Sequence, residues 1–108
     1  MTKLKIPVSV LRKIPSLYET EHVDAPDKVF HAKVFDCAGR GTWYIAEYNP
    51  EDGLCFGWVK SPLGDDCDEW GYFAMESLAS VKNRMGLPLE FDRHFKPTKA
   101  GECADYAK

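Results

Sequence analysis

A carboxylate, a guanidinium and an imidazole stand side by side at Asp92-Arg93-His94, two residues after Glu90. A carboxylate within reach of an imidazole is a ready acid–base pair. Strand geometry would put Asp92 and His94 on one face and Arg93 on the other. The plainer reading is a solvated edge with one ordinary salt bridge. His22 and His31 stand alone, and a metal site needs convergent ligands that no spacing here supplies. Asp65-Asp66-Cys67-Asp68-Glu69 concentrates negative charge without the Asp-x-Asp-x-Asp-Gly order of a calcium loop. It reads as a solvated acidic loop, with a second reading in which it imitates nucleic-acid phosphates towards a basic partner. Gly39-Arg40-Gly41 is too short to cradle a phosphate and reads as a hairpin turn.

Cys37, Cys55, Cys67 and Cys103 are 18, 12 and 36 positions apart with no Cys-x-x-Cys pair, which disfavours zinc. Free thiols are the expectation, two disulfides the alternative. The aromatic set Trp43, Tyr44, Trp58, Trp70 and Tyr72 is the sharpest ambiguity. Strand aromatics stack single-stranded bases, anchor protein partners, or simply fill a core. No set of residues calls for a cofactor or a metal.

These residues need elements to hold them. Ile6 to Lys13 predicts a short helix with Pro7 at its first position and Pro15 beyond its end. A helix so short must dock Val10, Leu11 and Ile14 on something. Val29 to Phe35 alternates as a strand, with Phe30, Ala32 and Val34 on one face. Thr42 to Tyr48 is the run richest in β-formers. Asn49-Pro50-Glu51-Asp52-Gly53 is a turn, Leu54 to Val59 the third strand, and Trp70 to Phe73 the fourth.

Short connections make these strands antiparallel neighbours. Cys55, Gly57, Val59, Gly71 and Phe73 then share one face. Leu54, Phe56, Trp58, Trp70 and Tyr72 share the other. The glycine face would let a helix backbone approach closely. The aromatic face would be a second core layer, covered around Leu17 and Tyr18, or a binding surface. Glu76 to Met85 follows helical spacing, with Gly86 as its C-terminal cap residue. Leu87 to Asp92 predicts a short edge strand, because Pro88 excludes a central one.

The expected fold is therefore α+β: an antiparallel β-meander of four to five strands, a short N-terminal helix, and a second helix after strand four. It forms one domain over residues 1–97, followed by a flexible C-terminal tail over residues 98–108.

A chain of 108 residues can bury a core without staples, and 44% hydrophobic residues exclude a disordered chain. Pro7, Arg12 and Lys13 interrupt the basic start before any apolar run forms, so a signal peptide is not expected and the cytoplasm is. A net charge of −3 argues against binding nucleic acid by bulk electrostatics. The charge is also polarised. Glu51 to Glu76 holds acids at Glu51, Asp52, Asp65, Asp66, Asp68, Glu69 and Glu76 against Lys60. Lys82 to Lys99 holds Lys82, Arg84, Arg93, Lys96 and Lys99 against Glu90 and Asp92.

Several segments occur in an order that resembles a known family. They are Ile14 to Glu21 (IPSLYETE), Thr42 to Glu47 (TWYIAE), Phe56 to Val59 (FGWV), Glu69 to Phe73 (EWGYF) and Gly86 to Phe95 (GLPLEFDRHF). Across roughly residues 4 to 97 the chain resembles the bacterial "domain of unknown function 2958" family, small proteins often carried on plasmids and integrated mobile elements. The resemblance implies that setting and supplies no catalytic residues. This sequence departs from the family's usual pattern in its four cysteines and a shorter loop between the second and third strands.

The preferred reading is a non-enzymatic interaction module with a protein partner. It would bind through Trp43, Tyr44, Trp58, Trp70 and Tyr72, the acids Asp65, Asp66, Asp68 and Glu69, and Arg93 and His94. An alternative is a single-stranded nucleic-acid binder using the sheet aromatics with Arg84, Arg93, Lys96 and Lys99. A third reading, an enzyme, needs Asp92 and His94, or a cysteine and a histidine, facing one pocket.

Overall fold

A computed structural model describes residues 4–106. Met1, Thr2 and Lys3 of the basic start, residues 107–108 of the expected tail, and the side chain of Asp65 lie outside the described residues. The β-rich run Thr42–Tyr48 is the central strand β3. It is flanked by β2 (Ala32–Phe35) and β4 (Leu54–Lys60), and the sheet is completed by β5 (Glu69–Ala74) beside β4 and β6 (Glu90–Phe91) beside β2. The order β5-β4-β3-β2-β6 is antiparallel throughout. The α+β meander with a helix at each end is what the residue pattern predicts. Among the described residues no helix is long and apolar enough to cross a membrane.

The expected strand Val29 to Phe35 breaks at His31. β1 (Val29–Phe30) leaves the sheet and pairs with β7 (Thr98–Lys99) in a separate two-stranded ribbon. Phe30 therefore does not share a face with Ala32 and Val34. All three are buried, but Ala32 and Val34 pack with Ile45 and Cys55 on one side of the sheet. Phe30 stacks on Tyr44 on the other, with ring centroids 4.8 Å apart. Strand alternation assumes one continuous sheet, and a chain that crosses the sheet edge defeats it.

One side of the sheet is covered by helices. α1 is a single turn, Val8–Leu11, and Pro7 stands just outside it as the N-cap. Ile6 and Ile14 are buried on either side of it, with Val10 and Leu11 packed against the same core. α2 (Met75–Ser80) buries Leu78 and stops five residues before the expected end. Val81 is extended, and Lys82 bridges Pro88 instead. The Asn83 side chain accepts the N–H groups of Met85 and Leu87 and donates to Asp36 Oδ1 at 2.9 Å. An asparagine that can satisfy backbone this way favours a turn over a helix. Gly86, at φ 76°, closes that turn and is not a helix cap.

The other side is aromatic, and its tryptophans are covered by the C-terminal segment, while Tyr18 lies only at the margin beside Tyr72. The chain after Pro97, expected to fray, forms β7 and then a 3-10 turn at Ala100–Glu102. Ala100 and Cys103 are buried against Phe30, Tyr44, Ala46 and Trp58. Small residues allow the close approach, and the Tyr106 ring then meets Trp58 and Trp70 edge-on at 5.4 and 5.6 Å.

Gly57 and Gly71 share a face of β4 and β5, as the periodicity predicts, and stand directly opposite each other, but among the described residues no helix backbone approaches them. A Cβ on Gly57 would lie 1.8 Å from the Tyr44 carbonyl oxygen of β3, whereas one on Gly71 meets nothing within 4 Å. Gly57 lies beside a bulge, where the β3–β4 register shifts between Ile45 and Glu47. A bulge draws the bulged strand out of the regular ladder, so this glycine answers to backbone in its own sheet. Gly57→Ala is expected to lower unfolding stability by at least about 3 kcal/mol, and Gly71→Ala to stay within about 1 kcal/mol of the parent, in paired urea denaturations.

Candidate functional site

The bulge in β3 inverts the alternation of the strand. Before it, Tyr44 and Ala46 face the aromatic layer and Trp43 and Ile45 the helical one. After it, Glu47 pairs with Phe56 on the aromatic side, and Tyr48 pairs with Cys55 on the helical side. Without the extra residue the carboxylate would point into the apolar core with Ile45. Instead Glu47, only 3% exposed, is met by a loop from the N-terminal segment. Its Oε1 accepts the Tyr18 N–H at 2.8 Å. Its Oε2 accepts the Thr20 N–H at 3.1 Å and the Thr20 hydroxyl. Lys28 Nζ donates to the Thr20 carbonyl and lies 5.8 Å from the centre of the Phe56 ring.

This clamp sets the conformation of Tyr18. Its φ of 67° makes it the one described non-glycine residue in the left-handed region, where a bulky side chain is strained. Tyr18 is 60% exposed, and its ring lies 6.4 Å from that of Tyr72, a residue 53% exposed on β5. Tyr18, Glu21, Lys28, Glu47, Phe56 and Tyr72 line a notch of about 200 Å³. Tyr18, Phe56, Lys28 and Glu47 were not among the expected binding residues. A glutamate in an otherwise apolar β-run, TWYIAEY, was the signal available.

The aromatic residues expected to form one surface are divided by the fold. Tyr44 and Trp58 are buried, Trp70 and Trp43 half-buried, and Trp43 lies on the helical side. Only Tyr72 is exposed. The Trp70 indole N–H donates to the Tyr106 hydroxyl at 3.3 Å.

The acidic loop is likewise divided. Arg40, from the expected hairpin turn, holds Asp68 through two bonds of 2.9 and 3.0 Å and also donates to the Ser61 carbonyl, while Asp68 Oδ1 accepts the Ser61 N–H at 2.7 Å. Asp68 is therefore committed to the loop's own geometry. Asp66 and Glu69 are exposed.

β6 ends at Phe91, so Asp92-Arg93-His94 is a turn and the shared-face argument does not apply. Asp92 Oδ1 accepts the His94 N–H at 2.9 Å, and its other oxygen lies 3.9 Å from Lys33. His94 is exposed. Arg93 is exposed at the rim of a hollow that His31 also lines. His22 is exposed. All four cysteines are free thiols, Cys37 and Cys67 exposed and Cys55 and Cys103 buried. Burial, then the charge of Asp52, pushes the Cys55 thiol up to about 12. A hydrogen bond to Glu90 heads the causes that raise Cys37. Neither is activated as a nucleophile. Among the described residues no three of His, Cys, Asp or Glu converge as a metal site.

A second, half-buried polar contact ties the C-terminal segment down. The Tyr44 hydroxyl donates to Asp105 Oδ2 at 2.5 Å, and Lys60 Nζ donates to Oδ1 at 3.1 Å. Burial and the carboxylate it faces raise the Tyr44 phenol far above its ordinary range. For Asp105, burial alone would raise the carboxyl. The hydrogen bonds from Tyr44 and Lys60, with the charges of Lys60 and Lys33, outweigh it and hold the carboxyl below its ordinary 3.8.

A family model described as "Protein of unknown function (DUF2958)" matches residues 11–108. No curated protein and no solved structure matches the chain.

Two outcomes are expected from these contacts. Glu47→Ala leaves the Tyr18 and Thr20 N–H groups without their acceptor. It should lower stability by about 2–4 kcal/mol and speed hydrogen exchange at those two amides, while the exposed Glu51→Ala stays within about 0.5 kcal/mol. The Asp105 carboxyl is depressed in the folded state, so its contribution is complete above the ordinary 3.8 and is lost as pH falls through the folded value. Asp105→Asn should therefore be less stable than the parent at neutral pH. The gap should close below pH 3.8, read as urea midpoints across an acid series.

Proposed function

We propose that this chain, which belongs to the family of proteins of unknown function DUF2958, is a non-enzymatic module that binds an extended segment of a partner protein along the free edge of β5. The observation that carries this reading is the state of that edge. β5 has six residues and one neighbour, β4. Met75 N–H donates to the Gly53 carbonyl at 2.8 Å, which sets the alternation of the ladder. Glu69, Gly71 and Phe73 exchange hydrogen bonds with β4. Trp70 and Tyr72 aim their N–H and C=O groups outward, and Ala74 its N–H, with nothing among the described residues to accept or donate to them; the Ala74 C=O, at the N-cap of α2, opens the hydrogen bonds of that helix.

An edge strand of this length is normally blunted by proline, lysine, a bulge or a covering element. β5 has only Glu69 at its start. An extended peptide added here would gain main-chain hydrogen bonds and place alternate side chains on the two faces. On the aromatic face they meet Tyr72, Tyr18 and the notch beside them. On the other face they meet the open space beside Gly71.

The surroundings indicate the partner's chemistry. Glu19, Glu21, Asp66, Glu69 and Glu76 are exposed in the segments that carry or flank the notch and the edge. A segment alternating apolar residues with Lys or Arg complements this field. The same field opposes pairing with a second copy through β5. The setting of this role, an accessory factor of a bacterial mobile element, rests on the family resemblance alone, and the cytoplasm on the interrupted basic start of the sequence.

Selection of ten-residue peptides from an unbiased display library on the intact protein tests the proposal. Enriched peptides should alternate apolar and basic residues, bind more weakly as salt is raised, and slow hydrogen exchange at Trp70, Tyr72 and Ala74. Tyr72→Pro removes an outward N–H and spares the β4 ladder, so it should weaken binding at least about tenfold while the fold is kept. Binders that leave those three amides exchanging at their free rate, or a selection with no enrichment, would refute the edge as the site. So would a dimer that forms through β5 in sedimentation and is lost in Tyr72→Pro, since it would make a second copy the occupant.

A further inference from the structure

A hollow of about 280 Å³ opens on the side of the molecule where the end of α1 approaches the β1–β2 break and the turn after β6. Val10, Phe91 and Phe95 give it apolar walls, and Lys13, Arg93 and His31 bring nitrogen to it. These residues come from three separate parts of the chain. Among the described residues no carboxylate lines the hollow. The neighbouring acid, Asp92, is turned to Lys33 and the His94 N–H. Lys13 and Arg93 are exposed, and among the described residues neither side chain has a hydrogen bond or an ion pair. Two unpaired like charges at one apolar hollow are a local excess that a bound anion relieves. A planar guanidinium beside aromatic walls suits a phosphate or a carboxylate attached to a ring.

We infer that this hollow binds a small anion in which one aromatic ring carries a phosphate or carboxylate group, the ring lying between Phe91, Phe95 and Val10 and the anionic group meeting Lys13 and Arg93. The volume sits at the lower end for ligand pockets and admits one ring with its head group. His31 is half-buried, and burial lowers its imidazole below the ordinary 6.5, so near neutrality it serves as a hydrogen-bonding wall and adds no charge. The site is independent of the β5 edge, which lies at the opposite end of the strand order from β6. Failure of either proposal leaves the other standing.

Titration of the full chain with phenyl phosphate and with benzoate, followed by amide and side-chain NMR shifts, is the test. At least one of the two probes should saturate with a dissociation constant below about 1 mM. The shifts should centre on Val10, His31, Phe91 and Phe95, and the tighter probe identifies the preferred head group. The double variant Lys13→Ala, Arg93→Ala changes two exposed side chains and should keep the fold while weakening binding at least about tenfold. Benzyl alcohol, with the ring and no charge, should not saturate. The inference is overturned if neither anion saturates by about 10 mM, if benzyl alcohol binds as well as they do, if the double variant binds unchanged, or if the shifts centre elsewhere.

Discussion

The carboxylate of Glu47 must be satisfied inside the protein, and much of the molecule's working surface follows from how that is done. A buried carboxylate needs several donors to offset its lost hydration. Here they are two backbone N–H groups and one hydroxyl, all from the loop containing Tyr18 and Thr20. The bulge in β3 turns the carboxylate towards that loop, and Gly57 gives the bulge room. Remove any of the three and Tyr18 has no reason to hold a left-handed backbone beside Tyr72. The exposed tyrosine pair is thus the outer end of a chain of constraints that begins with a backbone irregularity in the central strand.

The two faces of the sheet are closed by different means. The helical face uses aliphatic side chains from the N-terminal segment (Ile6, Ile14) and from α2 and the turn beyond it (Leu78, Leu89), a non-directional contact. The aromatic face is closed by small residues, Ala100 and Cys103, with a directional pin at each side: Asp105 on Tyr44 and Lys60, and the Tyr106 hydroxyl on Trp70. Covering Tyr44 and Trp58 in this way removes most of the aromatic surface that a base-stacking platform would use. What stays open lies at the margin, where Tyr72, Phe56 and Tyr18 border β5. An edge strand with unmatched main-chain groups next to exposed rings combines a general source of affinity with a local source of selectivity.

Charge is divided along the same lines. Arg40 draws Asp68 into the loop before β5, so this acid serves structure, while Asp66 and Glu69 remain in solvent. At the other end of the strand order, Lys13 and Arg93 flank an apolar hollow. The polarity visible in the sequence becomes two chemically distinct places: an acid-flanked edge suited to a basic segment, and a cationic hollow suited to a small anion.

The sequence by itself determined the sheet. Thr42–Tyr48, Leu54 onward and Trp70–Phe73 are read from local β-preference, their antiparallel order from short connections, and the shared face of Gly57 and Gly71 from period-two alternation, because all of these are properties of neighbouring residues. Wherever a side chain answers to something distant, the reading changed. His31 breaks its strand because Phe30 is needed across the sheet. α2 stops early because Asn83 offers the backbone a turn. Asp105 and Tyr106 pack because Tyr44, Lys60 and Trp70 offer them partners. The notch was illegible because the alternation that places Glu47 is reversed by one extra residue in β3, and nothing local announces a bulge. Tertiary structure alone decided which aromatic residues are core and which are surface, since burial depends on what covers a face, and here the cover comes from about sixty residues away in the chain.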